Sequence, residues 1–331
     1  MHATVEFTDL IRTGNEEQMP PKPLVSILIN NYNYAQFLGH AIDSSLGQTY
    51  NNVEVVVVDD GSTDNSREVI ERYSGRVLPV LKENGGQSTA FNAAFAASSG
   101  EIVCPLDADD YFLPNKVEKI VECYLTHPAA DYVFHPLKRV GINGVDVEAV
   151  AKTENVRWET VERSRWLDYR HRRNTFAAPP TTGLTMRRSL WDALKTIPHE
   201  VPPLADNYVK FVVMGLSRGY YLAEQLGVLT LHGNNLFSMG GNDVSRLPVD
   251  MRIASAIRRN FPELLSVADR FAAITLEKAW RLQGALDLHE TSRALEAYLD
   301  DASWRSAMQI YAGAFLRLCK QSVIRASKHA A

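Results

Sequence analysis

Cysteine is scarce. Cys104, Cys123 and Cys319 are the three in 331 residues, too few and too scattered for a disulfide framework or a cysteine-rich zinc site. Two of them fall in segments whose apolar pattern predicts burial, which fits a reducing, cytoplasmic setting. No uninterrupted apolar run is long enough to span a bilayer. The acidic start (Glu6, Asp9, Glu16, Glu17) lacks the apolar stretch of a secretory leader. An excess of positive charge is missing as well: the net charge is -4, so nothing electrostatic argues for a nucleic-acid partner. There is no internal repeat and no low-complexity tract. What remains is an ordinary globular composition, 45% hydrophobic and 22% charged, enough for one α/β domain with an appendage or for two domains.

The chemistry concentrates in residues 101–114, Glu-Ile-Val-Cys-Pro-Leu-Asp-Ala-Asp-Asp-Tyr-Phe-Leu-Pro. A short apolar run ends in three carboxylates, Asp107, Asp109 and Asp110, and Pro114 then opens a segment of helical period. Carboxylates crowded at the end of a buried strand repel one another and lose hydration unless a cation sits among them. A hard divalent ion such as Mg2+ or Mn2+ suits that oxygen-rich setting. The competing reading is a strand-to-helix turn, with one Asp capping the helix and the others solvated.

In chain order, residues 1–23 read as a loosely held arm closed by Pro20, Pro21 and Pro23. Residues 25–29 predict a buried strand that runs into Asn30-Asn31-Tyr32-Asn33, and Phe37, Leu38, Ala41, Ile42 and Leu46 then share a helical face. The run 53–58 is nearly all β-branched, as a central strand buried on both faces should be. It ends in Asp59-Asp60-Gly61-Ser62-Thr63-Asp64, with Thr63 or Asp64 as cap of the next helix. Residues 76–81 predict a third strand, which Pro79 confines to an edge or a bulge. Asn84-Gly85-Gly86 is a turn before an Ala-rich helix. Strand and helix thus alternate four times up to residue 128, the pattern of a doubly wound, mostly parallel sheet. Ligands of such sheets sit beyond the carboxyl ends of the strands, where residues 30–33, 59–60 and 107–110 all fall.

Beyond Pro128 the pattern changes. Residues 132–140 and 145–150 predict a hairpin about Gly141-Ile-Asn-Gly144. Residues 151–180, rich in Arg, Trp and Tyr, predict irregular structure around a cleft. A loop at 179–183 precedes a helix over 187–197, and Ala205-Asp206-Asn207 opens another. Residues 220–226 and 228–231 predict strands, the second ending at His232, and everything after residue 242 reads helical.

Five segments in this order resemble the signature of family 2 glycosyltransferases: 25–33, Val-Asp-Asp-Gly-Ser-Thr-Asp (58–64), Asn-Gly-Gly-Gln-Ser (84–88), Gly-Glu-Ile-Val (100–103) and Leu-Asp-Ala-Asp-Asp-Tyr-Phe-Leu-Pro (106–114). The resemblance implies an α/β GT-A fold over 24–242, with a nucleotide-sugar-binding half (24–128) and an acceptor half (129–242), which the helical region 243–331 extends at the C-terminal side. It also implies a nucleoside-diphosphate sugar donor, Mn2+ or Mg2+, and inversion at the anomeric carbon. Carried over by position, Asn30, Tyr32 and Asp60 hold the nucleoside, Tyr32 by stacking on or lining the base and Asp60 by accepting a hydrogen bond. Asn33, Asn84, Gln87 and Asn92 fall among the same nucleotide-sugar contacts. Asp107 and Asp109 match the Asp-x-Asp that faces ribose and metal, with Asp109 the direct ligand. Asp110 either supports that site indirectly or caps a helix. His232 matches a position that helps hold metal or pyrophosphate.

Asp206 matches the general base, although the Glu-Asp usual in the family is Ala205-Asp206 here. Two further departures are Asn30-Asn31 in place of a Pro-Thr pair, and Phe91-Asn92 in place of Arg-Asn, which removes one cation from the pyrophosphate region. The expected activity is a metal-dependent inverting transfer to a hydroxyl of a carbohydrate or lipid-linked acceptor, in polysaccharide or glycoconjugate synthesis. The alternative is a catalytically silent relative that binds a sugar nucleotide or serves as a scaffold. Trp158, Trp166, Tyr169 and Arg170 are candidates for the acceptor pocket, or plain packing. The C-terminal helices either pack on the catalytic domain or on a second subunit, or lay the last helix on an anionic membrane surface.

Overall fold

The computed structural model describes residues 19–146, 159–161, 179–194, 196–201, 204–233, 235, 243–282 and 289–329. Two compact units divide the chain: residues 1–199 with 213–234, and residues 200–212 with 235–331.

In the first unit, β1 (Val25–Asn31), β2 (Val53–Asp60), β3 (Leu78–Lys82) and β4 (Ile102–Asp107) are linked by α1 (Ala35–Leu46), α2 (Ser66–Glu71) and α3 (Gln87–Ala97). They form the parallel part of an eight-stranded sheet, with β3, the strand carrying Pro79, at its edge as expected. Then come β5 (Tyr111–Phe112), α4 (Lys116–Thr126), β6 (Tyr132–Phe134), β7 (Leu137–Gly141), β8 (Glu159–Val161), β9 (Leu184–Arg187) and α5 (Arg188–Leu194). Helix α6 (Ala205–Leu216) spans the boundary of the units and leads to β10 (Gly219–Tyr221) and β11 (Gly227–Leu231). The large sheet runs β3-β2-β1-β4-β9-β6-β10-β8, mixed and mostly parallel, and β5-β11-β7 form a small second sheet.

The β-branched runs are buried on both faces, as their composition requires. Val25, Ile27 and Ile29 of β1 and Val55 and Val57 of β2 join Leu38, Ile42, Ile120 and Tyr124 in one core. Leu28, Val56 and Val58, on the alternate face, are also fully buried, as are Phe91 and Ala94 of α3.

Two expectations change. Residues 132–140 are two strands in different sheets, broken at His135-Pro136, where proline supplies no N–H for a ladder. A turn does follow, closed by Gly141 N–H to Val145 O and a bridge between Val140 and Asp146, but the second arm of the expected hairpin lies outside the described residues. Leu184–Arg187, which lies between the expected loop and the helix expected from 187, is a strand seated between β4 and β6. Four residues are too few to display a period.

The second unit is helical among the described residues: α7 (Asp243–Asn260), α8 (Leu265–Leu282), α9 (His289–Asp300) and α10 (Trp304–His329). Its core includes Met251, Ile257, Leu264, Leu276 and Tyr298, and Asp269 receives both Arg258 (2.5 Å) and the Tyr298 hydroxyl (2.6 Å).

Candidate active site

Parallel registry sets Asn30 beside Val58 on one side and Asp107 on the other, at the carboxyl ends of β1, β2 and β4. The polar clusters at 30–33, 59–64 and 107–110 therefore meet on one rim, as the alternation of strand and helix predicts.

The loops of that rim are held by their own side chains. Asn33, in the left-handed region at φ 59°, accepts the Thr63 N–H at 2.7 Å through its amide oxygen. Asp64 accepts the Ala35 N–H (2.9 Å) that begins α1 and the Ser66 N–H (3.0 Å) that begins α2. Asp59 is fully buried and takes Arg67 Nε at 2.9 Å and Asn31 Nδ2 at 3.1 Å. Asp60, also buried, accepts the N–H groups of Gly85 (3.0 Å) and Gly86 (2.8 Å) and pairs with Lys82, while Asn84 Nδ2 returns to the Asp60 carbonyl (3.0 Å). Gly61 permits this close approach: at φ 76°, a Cβ there would come within 2.5 Å of the Asn84 nitrogen. Lys82 ends a strand at the rim, which is the signal that could have found it.

Two expected contacts serve the scaffold. The Asn33 amide oxygen is taken up by the 63–64 backbone. Asn92 grips the Ile197 backbone in both directions, each bond 2.9 Å. Tyr32 is 46% exposed just beyond β1. Gln87 opens α3. Both polar atoms of the Asn30 amide are buried without a hydrogen-bond partner among the described residues. Such orphaned groups are costly alone and mark a place where a polar ligand would be satisfied.

At the acidic turn, His232, just beyond β11, brings Nε2 to within 3.0 Å of Asp109 Oδ2. The imidazole stacks on Phe37 (4.7 Å between centroids) and meets Tyr34 edge-on at 5.6 Å. The Tyr34 hydroxyl is pushed up to about 12, first by burial and then by the charges of Asp109, Asp107 and Asp110.

Asp110 clasps two distant segments. It is 1% exposed, receives Thr182 Oγ1 at 2.5 Å and the Thr230 N–H at 3.0 Å, and so ties the acidic turn to the strand that delivers His232. Burial, then the neighbouring Asp109 and Asp107, hold its proton well above the ordinary carboxylate range. Lys116, fully buried beneath, donates to the Thr182 carbonyl at 3.1 Å and lies 3.3 Å from the Phe112 ring. Thr182 and Lys116 escaped the sequence reading because neither belongs to a local motif; their partners are 72 and 66 positions away.

The donor set fits a divalent ion held in part by its ligand. Asp109 and His232 supply one carboxylate and one imidazole, and no group of three or more His, Cys, Asp or Glu placed to hold a metal occurs among the described residues. An ion seated there would complete its shell with phosphate oxygens and water, the usual habit of such sites.

Asp206 belongs to the second unit, where its carboxylate takes Lys210 Nζ at 2.8 Å, both side chains nearly buried. Trp158, Trp166, Tyr169 and Arg170 lie outside the described residues.

The Glycosyl transferase family 2 model matches residues 26–191, half of the chain. The chain belongs to glycosyl transferase family 2. An uncharacterized glycosyltransferase of Nostoc sp. is 38% identical over 216 residues, 64% of this chain and 66% of that protein's length. Among solved structures, S. aureus TarS 1-349 in complex with UDP-GlcNAc aligns at TM-score 0.62 and 20% identity, covering 89% of each chain. Mannosyltransferase PcManGT from Pyrobaculum calidifontis in complex with GDP-Man and Mn2+ aligns at TM-score 0.52 and 20% identity, over 93% of this chain and 87% of that one. At those identities the likeness is one of fold, and the mixed, mostly parallel sheet of this family 2 member is of the GT-A type.

Proposed function

We propose that the protein transfers a sugar from a nucleoside-diphosphate sugar to a hydroxyl of a carbohydrate or lipid-linked acceptor, in polysaccharide or glycoconjugate assembly. The observation that carries this reading is the 3.0 Å meeting of Asp109 with His232 on the rim where strand ends converge. Family membership and the sugar nucleotides bound by TarS and PcManGT support the donor class.

Asp109 and His232 would seat Mn2+ or Mg2+, which supplies stabilisation of the charge that builds on the departing diphosphate. Asp107 and the Asn30 amide face ribose and nucleoside, Tyr32 offers its ring to the base, and Asp60 fixes the 84–86 loop against them. Asp206 takes the proton of the acceptor hydroxyl as its oxygen bonds to the anomeric carbon. The bond from that carbon to the diphosphate oxygen breaks on the opposite side, and one displacement inverts the centre. The Asp206 carboxylate is held by the Lys210 ammonium at 2.8 Å. The same ion pair supports the second reading, a silent sugar-nucleotide binder, because a base so engaged must share or release its cation.

A thermal-shift screen of UDP, GDP, dTDP and CDP, each with Mn2+, tests the donor site. Hydrolysis of the matching sugar nucleotide then separates the readings. Turnover lost in Asp206→Asn with nucleotide binding kept supports transfer, while binding without turnover in the wild type supports the silent relative.

A further inference from the structure

Helix α10 has one packed side and one bare side. Ile310 and Ala314 are buried, and a Cβ at Gly313 would lie 3.4 Å from that of Ala273 on α8. On another face Trp304 is 73%, Met308 64%, Phe315 59% and Leu316 67% exposed. Positions 304, 308, 311 and 315 recur at helical spacing, so these side chains form a continuous stripe. Tyr311, 42% exposed, stacks on Trp280 of α8 at 6.2 Å and anchors the stripe to the unit's surface. Large apolar side chains contiguous on one exposed face mark an interaction surface.

The charge of the segment selects its occupant. No Asp or Glu follows Asp301, whereas Arg305, Arg317, Lys320, Arg325 and Lys328 do, in a chain of net charge -4. The Arg305 guanidinium lies 5.4 Å from the Trp304 ring, so a cation sits beside the most exposed aromatic. Pairing two copies through this segment would bring two basic, acid-free stretches of sequence together, a repulsive arrangement. A surface that is apolar below and negatively charged above satisfies both features at once. No helix among the described residues is long and apolar enough to cross a membrane.

We propose that α10 is a peripheral membrane anchor, lying in the interface of a bilayer that carries anionic lipid, with Trp304, Met308 and Phe315 in the acyl boundary and the basic residues among the headgroups. The proposal is independent of the transferase reading, since it concerns binding alone.

The test is co-sedimentation of the full chain with vesicles of phosphatidylcholine alone and of phosphatidylcholine mixed with phosphatidylglycerol. The wild type should pellet with the mixed vesicles, much less with the neutral ones, and return to the supernatant at high salt. The variant W304Q/F315Q, which alters exposed side chains only, should lose at least about tenfold in partitioning while its melting temperature stays within a few degrees of the wild type. R305Q/R317Q should weaken binding to mixed vesicles and leave neutral ones unaffected. Three results would each overturn the proposal: no vesicle binding by the wild type, binding indifferent to both double variants, or a salt-stable dimer in light scattering that W304Q/F315Q dissociates while vesicles bind nothing.

Discussion

Asp109 and His232 stand 123 positions apart in the chain and 3.0 Å apart in the structure; the residue that joins their loops is Asp110. Its two oxygens engage Thr182 and the Thr230 N–H, two positions short of His232. Asp110→Ala leaves those donors without their acceptor, a loss of about 2–3 kcal/mol in a denaturant melt. With the clasp gone, Mn2+ titration should show about 10–100-fold weaker binding, as when a ligand's orienting partner is removed. Asp110→Asn preserves shape and one acceptor, so both losses should be smaller. Lys116 gives a second residue-scale test. Burial pulls its amine down from 10.5 to about 7, so between those two values the unfolded chain holds a proton that the folded chain has released. Stability should therefore rise with pH across that window. Lys116→Met should flatten the rise, and an unchanged pH dependence in the variant would count against the assignment. The acids of this site could be read from the sequence because strand-end carboxylates announce themselves. The clasp could not, because Thr182 and Thr230 acquire meaning only when distant segments meet.

At the scale of elements, the parallel half of the sheet followed from pattern alone. The runs 25–29 and 53–58 are apolar apart from Ser26 and Glu54, and Pro79 marks the edge strand. The other half was obscured by short pieces: β9 has four residues and β6 three, and the break at His135-Pro136 hides a change of sheet. Asp64 illustrates what sequence could half foresee. The cap position of α2 falls to Asn65 and not to Thr63 or Asp64, yet Asp64 accepts the Ser66 N–H there and also the first N–H of α1. Asp64→Ala therefore removes support from two helix starts at once, and a urea melt should lose about 1–2 kcal/mol. A loss no larger than that of an exposed surface substitution would mean that neither contact matters.

At the scale of the whole molecule, one unit carries a GT-A-type sheet and the other, helical among the described residues, carries an apolar-faced helix in a basic segment. Motif order made the family legible, since five short segments in sequence are far more specific than any one. Donor base, sugar and acceptor stayed illegible, because pocket contacts set them and no motif spells them. On the proposed reading, Asp109 and His232 would seat a divalent cation that would stabilise charge on the donor diphosphate. Calorimetric titration of UDP, GDP, dTDP and CDP sugars into the wild type and Asp109→Ala, each with and without Mn2+, tests it directly. The account predicts at least one donor whose binding requires Mn2+ in the wild type and falls by about tenfold or more in the variant. Binding that ignores both the ion and the substitution, or no binding of any sugar nucleotide, would contradict it.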